Sequence, residues 1–265
     1  MDAARISALL HPFIEKTLPE VQLQQISMYI DLLLRWNARI NLTAIRDPDE
    51  IVTRHFGESF FLARHLFPEP RVARAPSPAW SKDPTHPPQF ETQPRPLFPE
   101  VGGRGQRSSD NADPQSAKGS AQPTVLDIGS GAGFPGLPLK LWAPAISLTL
   151  IESNHKKTAF LREVIRILTL TDVNVITARA ETLANTTPGD IVTLRAVERF
   201  DAILPIAARL VSPSGRLALL IGSSQLPGIQ NLAPDFRTAA TIPVPNSQSR
   251  VLSLLVRQEE VGGIG

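Results

Sequence analysis

Apolar residues recur with a helical period through the first seventy positions. Leu9, Leu10, Phe13, Ile14 and Leu18 form one set, and Leu23, Ile26, Tyr29, Ile30, Leu33, Leu34 and Ile40 a second. A third helix is predicted to start at Asp47 or Asp49. Pro48 suits a first turn, where no N–H is needed, and acidic residues favour the positive end of the helix dipole. Its apolar face holds Ile51, Val52, Phe56, Phe60 and Ala63, and Pro68 and Pro70 end it.

The period is lost between Arg71 and Gln122, where Pro, Ser, Gly, Gln and charge dominate. Such a stretch buries too little apolar surface to offset the entropy of ordering it, so it reads as a disordered or irregular insertion. Its aromatic residues, Trp80, Phe90 and Phe98, belong either to a solvated linker or to a segment that docks on the body or a partner. From Thr124 onward, strand-like runs alternate with helical ones: TVLDIG, GLPLKLWA, SLTLIE, HKKTAFLREVIRILTL, VNVITA, DIVTLRA, FDAILPIAARLV and GRLALLIG. FRTAATIPV and RVLSLLVR then form an expected antiparallel pair. The expected organisation is a helical extension (1–70), an insertion (71–122) and an α/β domain with a mostly parallel sheet (123–265). Ligands of such sheets sit outside the C-terminal strand ends.

At one such end stands Leu126–Gly136, LDIGSGAGFPG. Gly131, Gly133 and Gly136 fit G-x-G-x-x-G, and Glu152 follows Gly131 by the 21 residues of a dinucleotide fingerprint. A nicotinamide-dependent oxidoreductase is therefore one reading. The glycines begin earlier, however, as Asp127-x-Gly129-x-Gly131-x-Gly133, a form that resembles the first motif of S-adenosylmethionine (SAM)-dependent methyltransferases. An acid before the turn suits a cationic ligand or an amino group better than a pyrophosphate. On this reading Gly129, Gly131 and Gly133 approach the methionine part of SAM. Glu152 accepts hydrogen bonds from both ribose hydroxyls, and Ala180-Glu181, or the adjacent amide, lies near adenine. The alternatives are a solvated strand end for Glu152 and a helix-start acid for Glu181.

Composition narrows the chemistry. The 265 residues are 42% hydrophobic, carry a net charge of +2 and include no cysteine, which excludes disulfides, thiolate metal sites and a cysteine nucleophile. The sequence pI of about 9.2 leans basic. No apolar run nears the ~20 residues of a membrane span, and the first residues lack a signal-peptide core, so a cytoplasmic protein is expected. Exocyclic amine methylation usually uses Asn/Asp-Pro-Pro-Tyr/Phe after the fourth strand, where this chain has Leu194-Arg195-Ala196. Guanine N7 needs neither that motif nor a cysteine, because its lone pair is nucleophilic and carries no proton. Arg195 is then placed to position SAM or the substrate, unless it is a surface arginine in an ion pair.

The N-terminal block sharpens this through Trp36-Asn37, Asn41-Leu-Thr-Ala44, Arg46-Asp47-Pro48, Arg54-His55 and Ser59. Together with Asp127–Gly136, Glu152-Ser153, Lys156-Lys157, Phe160-Leu161 and Arg195-Ala196, it closely resembles the bacterial 16S rRNA guanine-N7 methyltransferases (RsmG/GidB). The resemblance spans nearly the whole chain outside the insertion. It implies a seven-stranded, Rossmann-like class I methyltransferase fold with an N-terminal helical extension and SAM as cofactor. It further implies one guanine in the 530 loop of 16S rRNA, position 527, as substrate. By position, Gly129, Phe134, Ala180, Glu181 and Arg195 match the family's SAM contacts. Arg54, His55, Lys156, Lys157, Arg162 and Arg250 are candidates for RNA contact. Open alternatives are an exposed helix face for the lysine pair, a core histidine bonded to Asn41 or backbone for His55, and helix caps for Asn37 and Asn41. No metal is expected, and a monomer is.

The chain departs from the family pattern where a Lys-Gly is common (here Ile221-Gly222) and where an Arg-His pair is common (here Arg250-Val251). Glu58 stands where an aspartate is usual. The departures at Ile221 and Val251 motivate a second alternative, a non-catalytic RNA-binding assembly factor of the same fold.

Overall fold

The computed structural model describes residues 1–68, 122–183, 186–197 and 199–258. The reading of the insertion, with Trp80, Phe90 and Phe98, lies outside the described residues apart from Gln122.

Helix α1 (Ala3–Ile14) is capped by Asp2, whose carboxylate accepts from the Arg5 N–H. Helix α2 (Glu20–Asn37) follows. Leu18 and Ile40, expected on these helices, lie outside them; Leu18 is still buried, so the apolar period ran past the helical bounds into flanking turns. Asp47 caps the next segment and Pro48 occupies its first turn. That segment is not one uniform helix: α3 (Pro48–Glu50) leads into a π-helix, π1 (Ile51–Gly57), and then into α4 (Glu58–Leu66). The π turns shift the register while keeping Ile51, Val52, Phe56, Phe60 and Ala63 buried, so an apolar pattern alone does not disclose them.

The α/β part runs β1 (Thr124–Ile128), α5 (Gly136–Trp142), β2 (Ser147–Glu152), α6 (His155–Ile167), β3 (Val173–Thr177), β4 (Gly189–Arg195), α7 (Phe200–Arg209), β5 (Val211–Gly222), α8 (Ile229–Leu232), β6 (Phe236–Pro243) and β7 (Arg250–Arg257). The sheet order is β3-β2-β1-β4-β5-β7-β6. The first five strands pair in parallel, and β7 runs antiparallel to both β5 and β6. The alternation of runs predicts the mostly parallel sheet, and the seven-stranded class I arrangement is the one that the family resemblance implies. Parallel strands buried on both faces read as unbroken apolar stretches, as in Leu217–Ile221.

Two apolar cores flank the sheet. One joins its first face to the N-terminal helices, α5 and α6, so the extension and the sheet share a single core. The other lies under α7 and α8. The chain reverses its direction of winding between β1 and β4, and the crevice beyond their C-terminal ends is where a ligand is accommodated.

Candidate active site

A cavity of about 620 Å³ opens at this switch point. Its walls come from the loops after β1, β2, β3 and β4, and from Leu42, Thr43 and His55 of the N-terminal block. The glycine loop forms the floor. Gly129, Gly131 and Gly133 all have positive φ, of 72°, 58° and 90°. At Gly133 a Cβ would lie 2.3 Å from Tyr29 Oη and 2.6 Å from Leu137 Cδ1, so both conformation and space demand glycine; Gly133 packs on protein and does not line the cavity, which corrects its reading as a cofactor contact. Tyr29, wholly buried on α2, donates its hydroxyl proton to the Ala132 carbonyl at 2.5 Å and stacks on Phe134 at 5.4 Å. The helical extension thus grips the loop directly.

Asp127 does not meet the cavity. It is fully buried under the loop, where Oδ1 accepts from Thr193 Oγ1 at 2.8 Å and Oδ2 from the Gly136 N–H at 3.1 Å. Burial raises its pKa to about 6, against the pull of those hydrogen bonds. This corrects the expectation that the acid before the turn faces a cationic ligand. Both its oxygens face protein donors, and it fastens the first turn of α5 to β4.

Glu152 stands at the end of β2 and lines the cavity. Each oxygen takes one backbone proton: Oε2 from Gly131 at 2.9 Å and Oε1 from Asn154 at 2.8 Å. A carboxylate oxygen has two lone pairs, so each retains one for a ligand hydroxyl. Across the cavity Ala180 is buried, and Glu181 pairs with Arg199. Arg199 hydrogen bonding helps to hold the Glu181 carboxyl below its usual range, behind a backbone hydrogen bond that is the larger cause. The described residues fit SAM in these respects: open turns that approach a ligand, a two-oxygen acceptor on the second strand, and an apolar patch beyond it.

Arg195 is no surface arginine. Its side chain is 8% exposed, lines the cavity at the end of β4, and bonds Glu58 Oε2 through Nη2 at 3.0 Å and through Nε at 3.3 Å. Burial lowers its pKa while Glu58 opposes the change. Nη2 also donates to the Arg54 carbonyl at 2.6 Å and faces His55 Nδ1 at 3.2 Å.

That contact assigns the imidazole tautomer. Arginine has no acceptor, so Nδ1 carries no proton and Nε2 donates to Thr43 Oγ1 at 2.8 Å. Burial, followed by Arg195, Arg54 and Arg250, pushes the His55 pKa down to about 3. His55 is therefore neutral and stacks on Phe134 at 4.7 Å. A neutral ring brings no charge to an RNA phosphate, and its hydrogen-bond partner is Thr43 rather than Asn41 or backbone. Asn37 does not cap a helix start. It ties down the loop after α2, accepting from the Leu42 and Thr43 N–H groups and donating to the Thr43 carbonyl.

Of the remaining candidates, Phe134 and Lys157 line the cavity, while Lys156 is exposed on the first turn of α6. Arg162 lies across β3, bonded to the Val175 carbonyl and Thr177 Oγ1, and is not brought to the cavity. Arg54 and Arg250 stand just outside it, both on Glu58. Sequence reasoning missed Thr43, Arg179 and Arg199 as cavity residues. Arg179 directly precedes Ala180 on the loop after the third strand, which was the available signal; Thr43 depends on a long-range fold. Ile221 and Val251, the two departures from the family pattern, prove to be direct cross-strand partners, both buried in the second core. Among the described residues, no group of three or more His, Asp or Glu side chains is placed to hold a metal, and no helix is long and apolar enough to cross a membrane.

Solved structures of similar fold include a ribosomal protein L11 methylase from Lactobacillus delbrueckii subsp. bulgaricus (TM-score 0.45, 16% identity, 54% of this chain and 73% of that one). Another is M. jannaschii TYW2 in complex with AdoMet (0.45, 16%, 52% and 70%). Sequence relatives are nearer. Proteins named ribosomal RNA small subunit methyltransferase G are 30% identical in Chloroflexus aggregans (91% of this chain, 84% of that one) and 34% identical in Roseiflexus sp. (78% and 68%). The family model for GidB, rRNA small subunit methyltransferase G, matches residues 22–72 and 112–245, which takes in α2 through β6 apart from the intervening residues 73–111. By this match and by these relatives, the chain belongs to the rRNA small subunit methyltransferase G family.

Proposed function

We propose that the chain transfers a methyl group from SAM to N7 of guanine 527, in the 530 loop of 16S rRNA. Family membership supports a methyltransferase acting on small-subunit rRNA. The observation that carries the cofactor reading is the pairing of Glu152 with the glycine loop. One carboxylate holds Gly131 in place and keeps an acceptor position on each oxygen for ribose hydroxyls. When bound, SAM supplies a sulfonium-activated methyl group, which the N7 lone pair takes while the bonding pair stays on sulfur. No proton is removed, so the site needs no general base, and His55, with its pKa pushed down to about 3, is too weakly basic to serve as one.

The residues of this chain act by placement. Gly129 and Gly131 keep their side of the cavity clear, Ala180 and Glu181 line it as the candidate adenine contacts, and Arg195 fixes the wall formed by His55 and Thr43. A target base must leave its stack to reach such a cavity. The same reading has the protein act in the cytoplasm, where ribosomes assemble, and as a monomer.

The test is incubation with methyl-labelled SAM and small subunits lacking the modification, followed by digestion and identification of the labelled nucleoside. The expected product is 7-methylguanosine at one site. Label in another nucleoside would overturn the choice of atom. SAM binding without label would point to the non-catalytic reading.

A further inference from the structure

Glu58 is the buried charge that cofactor binding leaves unused. Its side chain is 2% exposed, yet three arginines from three elements meet it. Arg54 from π1 lies 3.5 Å from Oε1, and Arg195 from β4 and Arg250 from β7 reach Oε2 at 3.0 and 2.8 Å. Among the described residues, one carboxylate answers three guanidinium groups, which leaves two positive charges in surplus, with His55 neutral beside them.

The arginines are not used up. Among the described residues, no acceptor meets Nη1 of Arg195, Nε or Nη2 of Arg250, or either Nη of Arg54. Their exposure is graded. Arg195 is 8% exposed and lines the cavity, whereas Arg250 at 24% and Arg54 at 49% stand outside it. Like charges held this close repel one another, and an anion at the open side relieves the repulsion. An arginine fork also matches two oxygens of one phosphate.

We propose that Glu58 is a positioning residue that gathers Arg54, Arg195 and Arg250 into an oxyanion site at the cavity rim, and that its occupant is an RNA backbone phosphate next to the target nucleotide. This rests on the functional reading above. The other source of the same chemistry is the carboxylate of SAM. Arg54 and Arg250 lie outside the cavity that would hold the cofactor, which favours the phosphate.

The test uses the full chain as Arg54→Gln, Arg250→Gln, Glu58→Gln and Glu58→Asp, each checked for folding by circular dichroism. Equilibrium binding of small subunits is measured across a salt series, SAM affinity by calorimetry, and methylation as kcat and KM. Expected for Arg250→Gln is about tenfold weaker subunit binding, a salt slope lower by about one, and SAM affinity within twofold of the parent. KM should rise with kcat little changed. Glu58→Gln should weaken subunit binding comparably, and Glu58→Asp should restore most of it. Unchanged subunit binding and slope in both arginine variants would overturn the proposal. So would SAM binding weakened in proportion, because the cluster then holds the cofactor's carboxylate. The subunit-binding measurements need no turnover, so a parent protein that binds SAM without making 7-methylguanosine would refute the functional reading while still deciding this one.

Discussion

Substituting Gly133 by alanine tests whether the helical extension holds the cofactor loop. The φ of 90° costs a residue with a Cβ about 1–3 kcal/mol. The added methyl would stand 2.3 Å from Tyr29 Oη and 2.6 Å from Leu137 Cδ1, overpacking that costs about 1–3 kcal/mol more. Gly133→Ala is therefore expected to destabilise the fold by about 2–6 kcal/mol. Tyr29→Phe removes the hydroxyl that donates to the Ala132 carbonyl and leaves a buried acceptor unmet, for about 1–2 kcal/mol. In the double variant the nearest clash is gone and the hydrogen bond is lost only once. The combined cost should thus fall short of the sum by about 1–2 kcal/mol. Urea unfolding of the four proteins gives the cycle, with SAM affinity measured alongside by calorimetry. Each single variant should also weaken SAM binding, because the loop moves in both. Additivity within about 0.5 kcal/mol would refute direct coupling between α2 and the loop.

Three further outcomes are expected. Glu152→Ala should weaken SAM binding by one to two orders of magnitude, about 1.5–3 kcal/mol for bonds to a charged acceptor, with the circular dichroism spectrum retained; unaltered affinity would remove Glu152 from the cofactor site. His55 has a folded pKa of about 3, below the ordinary 6.5, so the unfolded chain binds the proton more readily and acidification through that window lowers stability by up to about 1.4 kcal/mol per pH unit. Asp127 acts the other way, its folded pKa of about 6 exceeding the ordinary 3.8, so it loses stability as pH rises between those values. The two slopes oppose one another near pH 5: His55→Gln should leave stability falling as pH rises, and Asp127→Asn should leave it rising, as thermal melts from pH 4 to 7 would read. Arg195→Lys should lower kcat/KM and disturb the His55 ring signal in NMR spectra, because lysine cannot span Glu58, the Arg54 carbonyl and His55 together.

The order of strands and helices from Thr124 to Arg257, apart from the four-residue α8, was legible because each carries its own periodicity, and parallel strands buried on both faces must be continuous apolar runs. The glycine loop was legible too, since its backbone angles exclude most other residues, and so was Glu152 at a strand end of known spacing. The π turns at Ile51–Gly57 were not, because an apolar period tolerates one inserted residue without losing its face. Nor was the fate of the charges. Asp127 and Arg195 each sit at the end of a strand beside the loop, and in a linear chain both look like ligand contacts. Packing sends Asp127 beneath the loop, where Thr193 and Gly136 occupy its oxygens, and holds Arg195 at the wall on a glutamate 137 positions away. Glu58 appeared only as a departure from a pattern until Arg54, Arg195 and Arg250 converged on it, and Ile221 and Val251 as separate departures until the β5–β7 register set them opposite one another. Local chemistry determines which backbone shape a segment takes and leaves its mark in that segment. The protonation, burial and partners of a charged group depend on residues that only the folded chain brings near, and so they belong to the tertiary structure alone.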